Sequence, residues 1–144
     1  MLATKEIKPV SLVMIWLGNF VGCLIFAIVA RTAGLGSTLV EPAVAIISTR
    51  ISNLWYQNLC LGILCGVLMY IAVNAFKTAP YATMMCVASF ILLGANHCVA
   101  DMAYLCFGVS KNTLFPMLFS LLCTTCGNVI GCNLIPLTTK KKAL

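Results

Sequence analysis

Charge is scarce in this chain. Asp, Glu, Lys and Arg together make up 8% of the 144 residues, where a soluble domain carries about a quarter. Hydrophobic residues make up 62% and the mean hydropathy is +1.06. These values exclude a soluble globular enzyme and a disordered chain. Nine Lys/Arg give a net charge of +6, but each lies outside the long apolar runs, so there is no basic face for a nucleic acid. Carboxylates are scarcer still: Glu6, Glu41 and Asp101 are the only three. Neither glutamate lies in an apolar run, which excludes the small four-helix exporters that need a membrane-embedded glutamate. The loops hold no cysteine. A thiol oxidoreductase built on Cys123-x-x-Cys126 needs a second, exposed thiol pair to pass electrons on, so that alternative is set aside. A metal site made from Cys123, Cys126 and His97 lacks the polar surroundings that metal ligands require; no metal and no cofactor are expected.

What is present is apolar length. A membrane helix needs about 20 apolar residues. Four runs qualify: 10–30, 54–76, 81–109 and 114–137, with 21, 23, 29 and 24 residues. The first, second and fourth are free of charge. The expectation is an all-α, multi-pass membrane bundle forming one domain over residues 1–144. Val10–Ala30 is too long for the core of a cleavable leader, and no small-residue cleavage site closes it. All nine cysteines fall inside the apolar runs and serve as small packing residues. Orientation follows the Lys/Arg bias. Lys5, Lys8, Lys77 and Lys140 to Lys142 fall on one side, against Arg31, Arg50 and Lys111 on the other. Six against three places both termini in the cytoplasm, with the basic tail near anionic lipid heads. The connection 32–53 reads as a turn through Gly34, Gly36 and Pro42, followed by a short interfacial helix over 43–52.

The third run is too long for one simple helix. Gly94-Ala95-Asn96-His97 interrupts it, and irregular backbone at membrane depth is tolerated only where it lines a cavity or is buried in protein. Helices broken at the midplane mark substrate sites in transporters. There is also an internal repeat. Gly18-Asn19-Phe20-Val21-Gly22-Cys23 in the first run matches Gly127-Asn128-Val129-Ile130-Gly131-Cys132 in the fourth. Small-x-x-x-small spacing alone marks helix packing, but two copies carrying the same asparagine indicate equivalent helices. They lie three helices apart and so cross in opposite directions, the inverted-repeat design of many transport proteins. If the fourth run closes one three-helix repeat, the first closes another, and the chain reads as the last four helices of a six-helix protein.

Gly94-Ala95-Asn96-His97-Cys98-Val99-Ala100-Asp101-Met102 resembles the fifth-helix signature G-F-E-H-[SC]-[IV]-A-N-M of the formate/nitrite transporter family. Leu61-Gly62-Ile63-Leu64-Cys65-Gly66-Val67-Leu68 is similar to its fourth-helix R-G-I-L-C-N-W-L, and the two Gly-Asn-x-x-Gly copies to its third and sixth helices. The resemblance covers 8–137. It implies a six-span, aquaporin-like inverted repeat lacking its first two helices here, a homo-pentamer in the plasma membrane, and passage of small monovalent anions with proton sharing. The chain departs from the family pattern at Asn96 (an acid), Asp101 (an asparagine), Gly66 (an asparagine) and Leu61 (an arginine). By its spacing from Cys65, Arg50 takes the place of an outer-vestibule lysine. A shortened relative that inserts without conducting is the alternative.

The candidate pathway residues are His97, Asn128, Asp101, Asn19 and Arg50. An ionisable side chain within a span is a functional candidate by default. An imidazole N–H replaces part of the water an anion sheds, which lowers an otherwise prohibitive desolvation cost. Asn128 and Asn19 add neutral donors, and Arg50 draws anions to the outer entrance. His97 and Asp101, four residues apart, are expected on one helix face, as a near-neutral pair or with Asp101 protonated. Phe90, Leu92 and Leu93 flank the break as candidates for a hydrophobic constriction.

Overall fold

The computed structural model describes residues 8–76 and 78–140. Lys5, Lys77, Lys141 and Lys142, which enter the charge comparison, lie outside them. Among the described residues there are six helices: α1 (Pro9–Thr32), α2 (Gly36–Ser52), α3 (Trp55–Ala75), α4 (Pro80–Leu92), α5 (Cys98–Gly108) and α6 (Leu114–Lys140). Among them α1, α3 and α6 are long and apolar enough to cross a bilayer singly, whereas α4 and α5 are shorter apolar helices. This is a helical membrane protein, and the third apolar run is two half-length helices joined by a break. Proline opens α1 and α4, where its missing N–H leaves no intrahelical bond unmade.

The connection after α1 is more helical than expected. In place of a short segment over 43–52, α2 takes in 17 residues and carries Pro42 inside it. Proline removes one ladder bond, yet the helix persists because its next turns are anchored. Ala43 packs with Ala27, Ala30 and Phe107. Ile47 packs with Leu105 and Met117. Burial against α1, α5 and α6 thus outweighs the local defect. Arg31 donates to the Phe107 carbonyl (2.7 Å) at the end of α5.

The break after α4 is built by its glycine. Gly94 has φ +63°, a left-handed conformation that residues with a Cβ seldom adopt. It turns the chain so that Gly94 N–H donates to Ile91 O (3.0 Å) and Ala95 N–H to Phe90 O (2.9 Å). This double closure satisfies the last carbonyls of α4.

The closest packing is between α3 and α6. Gly62 and Gly66 of α3 face Gly127 and Gly131 of α6, so backbone touches backbone. A Cβ placed on Gly131 would collide with the Ile63 carbonyl and lie 2.9 Å from Gly66 Cα; one on Gly127 would collide with the Leu59 carbonyl. Small residues allow this approach, and dispersion across the close contact holds the helices together in lipid. The first copy of the repeated motif has no such partner among the described residues. A Cβ at Gly18 or Gly22 would meet nothing within 4 Å.

Candidate functional site

A cavity of about 530 Å³ lies between α1, α3, the start of α5 and α6. Its wall is overwhelmingly apolar, with a few polar groups set into it. His97, Asn19 and Asn128 all line it. Residues 31 to 109 positions apart in sequence therefore meet at one place.

His97 precedes α5 as its N-cap residue, in extended backbone. Its ring stacks on Phe90 with centroids 5.8 Å apart and planes inclined by 23°. No hydrogen bond to the ring is present among the described residues. The imidazole is thus held by stacking while its nitrogens stay available to the cavity. Of the three candidates for a constriction, only Phe90 touches the histidine. Leu92 and Leu93 do not line the cavity and are 87% and 62% exposed. They lie at the end of α4, away from this cavity.

Asn128 has a more demanding position than the sequence suggested. Both hydrogens of its amide are engaged, to Gly62 O and Asn96 O (each 2.9 Å). Its Oδ1 accepts from the backbone N–H of Cys98, also at 2.9 Å. One side chain thereby satisfies the broken backbone on both sides of His97 and ties it to α3 and α6. Backbone groups freed at membrane depth need such partners. Asn96 N–H, the next freed donor, goes to Leu61 O (3.3 Å). Asn19, the matching residue of the repeated motif, makes no hydrogen bond among the described residues and lines the cavity.

Arg50 and Asp101 do not line the cavity. They bind each other: Arg50 Nε to Asp101 Oδ1 is 3.2 Å, with the two side chains 11% and 0% exposed. The expected His97–Asp101 pair is not formed, because Asp101 turns toward α2. The pair belongs to a buried polar network. Asn58 donates to Arg50 O (2.8 Å), Asn96 donates to Asn58 Oδ1 (3.0 Å), and Asn96 reaches Thr124 Oγ1 (3.4 Å). Asn58, Asn96, Asp101 and Thr124 are all buried.

Several of these residues escaped the sequence reading. Asn58 and Thr124 have no distinguishing signal in the sequence, and Asn96 stands out there only as part of the break and as a departure from the family pattern. Asn74 and Asn133 also line the cavity. The available signal was an asparagine inside an apolar run, and it was used only where the repeat duplicated it. Cys123 is half-buried and Cys126 exposed; neither lines the cavity, and all nine cysteines are free. Among the described residues no group of three or more His, Cys, Asp or Glu is placed to hold a metal ion.

A bundle of apolar helices, with one helix broken beside a mostly apolar cavity, defines a helical membrane protein. The sequence profile of the formate/nitrite transporter family matches residues 8–139. The chain belongs to that family. It is 28% identical over 111 residues to the formate channel FocA of Haemophilus influenzae, a match covering 67% of this chain and 38% of that protein. The chain thus aligns with less than half the length of this relative. No solved structure matches it.

Proposed function

We propose that the chain forms part of a transmembrane pathway for small monovalent anions such as formate or nitrite, with His97 as the group that eases their desolvation. The observation that carries this reading is the His97 ring, half-buried at the helix break and without a hydrogen-bond partner among the described residues, beside an apolar cavity in a chain of the formate/nitrite transporter family. An anion entering such a cavity loses water, and an imidazole N–H replaces part of it. A proton shared between the two cancels the charge for the moment of passage. Asn19 offers a second, neutral donor. Asn128 shapes the path by holding the break open, and Arg50 and Asp101 lie behind that wall.

The relative's name supports formate as one substrate. The repeated Gly-Asn motif supports two inverted repeats, and the family resemblance supports a pentamer in the plasma membrane. The direct test is flux of formate and of nitrite into liposomes holding the purified chain, against empty liposomes. Flux well above that background is expected. A folded, reconstituted protein that carries neither anion would favour the non-conducting alternative. The exposure of α1, where only Ala27 and Ala30 are buried, is the observation on that side.

Both termini are placed in the cytoplasm by the charge asymmetry. A reporter fused after Leu144 is expected to be active inside the cell, and an epitope inserted at Lys111 to be reached by antibody from outside. Detection of both on one side would overturn the four-span assignment.

A further inference from the structure

The Arg50–Asp101 contact joins two helices far apart in sequence at the base of the helix break. Asp101 sits in the first turn of α5, about 6 Å along the axis from His97. Arg50 lies in the last turn of α2. Asp101 is wholly buried, and its second oxygen, Oδ2, has no hydrogen-bond partner among the described residues. A carboxylate so placed needs a counter-charge. The other polar groups that interact with it are few: Cys65 of α3, the Thr124 hydroxyl of α6 and Cys98 of its own helix, with His97 one turn before it. Arg31 binds the far end of α5, and Glu41 of α2 is exposed.

We propose that Arg50 and Asp101 are one matched unit of positioning residues. The guanidinium fixes the start of α5, and with it His97, against α2. It also cancels a negative charge that would otherwise stand beside the anion path. The second half of this statement rests on the transport reading above; the first does not. Arg50 is then no attractor of anions at an entrance, because its charge is already met within the protein.

A buried ion pair behaves asymmetrically under mutation. Removing one partner strands the other charge, whereas replacing both is often nearly neutral. The test is a double-mutant cycle on the full chain in detergent, with the melting temperature followed by tryptophan fluorescence at pH 7.5 and 5.5. Arg50→Met should lower the melting temperature by about 10 °C at pH 7.5. The loss should shrink at pH 5.5, as the stranded carboxylate takes up a proton. Adding Asp101→Asn should restore most of the loss and remove its pH dependence. Losses that simply add, or a double variant as damaged as Arg50→Met at both pH values, would overturn the matched unit. If Arg50→Met yields no folded protein, a folded double variant supports the pairing and an unfolded one overturns it.

Anion flux in liposomes adds the functional half. Arg50→Met should carry anions about tenfold more slowly at pH 7.5, with recovery in the double variant. Unchanged flux in Arg50→Met, where wild-type protein conducts, would overturn charge cancellation. Wild-type protein that conducts nothing would sink the transport reading, while the melting cycle still decides the pairing.

Discussion

His97→Ala is expected to lower formate and nitrite flux by about ten- to hundredfold and to flatten its pH profile. The magnitude follows from one hydrogen bond. A bond to a charged partner contributes about 1.5–3 kcal/mol, and each 1.4 kcal/mol added to a barrier is about tenfold in rate. The ring is stacked on Phe90 and bonded to nothing among the described residues, so removing it leaves no stranded partner and the fold should persist. Histidine changes charge within pH 5–8. Its protonated form attracts an anion, so wild-type flux should rise as pH falls through that range, and the alanine variant should lose this rise. The measurement is liposome flux across an acid-to-neutral series, with matched melting temperatures as the control for folding. A wild-type pH profile retained in His97→Ala would mean that His97 only completes the end of the broken helix.

Gly131→Val is expected to be the most damaging single substitution in the bundle. Overpacking that side chains can relax costs about 1–3 kcal/mol. Here the new atoms meet backbone: the Ile63 carbonyl, Gly66 Cα and Val67 N of α3. Backbone cannot swing aside, so α3 and α6 must separate. The Asn128 bond to Gly62 O crosses the same seam, so the support of the helix break is lost with it. A fall in melting temperature of about 10 °C or more is expected, with loss of the monodisperse peak on size exclusion. Ile130→Ala, on the neighbouring exposed face, should change the melting temperature little. A Gly131→Val protein as stable as wild type would show that this crossing does not hold the bundle.

Much of the architecture was legible in the sequence because lipid makes strong demands on composition. A run of apolar residues can satisfy its backbone only as a helix, so the helix-forming stretches followed from hydropathy within a few residues. The break was legible for a local reason: glycine at position 94 supplies the left-handed turn, and Asn96 and His97 are polar where lipid would exclude them. The duplicated Gly-Asn motif is visible as a pattern in the sequence alone. The extent of α2 was missed because Pro42 is a local obstacle, whereas the burial that overrides it comes from α1, α5 and α6.

Direction and partnership were beyond the sequence. Spacing placed Asp101 one helical turn from His97 but gave no information on α2, which meets α5 only in three dimensions and offers Arg50 as a nearer and permanently charged partner. The two Gly-Asn motifs are alike as sequence. Yet Asn128 uses its whole amide to hold the broken backbone, while Asn19 makes no hydrogen bond among the described residues, because α6 has α3 pressed against it and α1 does not. Hydrophobicity determined what enters the membrane. Which polar atoms meet inside it depended on helix packing, since a hydrogen bond needs two groups within about 3 Å, and the chain order does not set that distance.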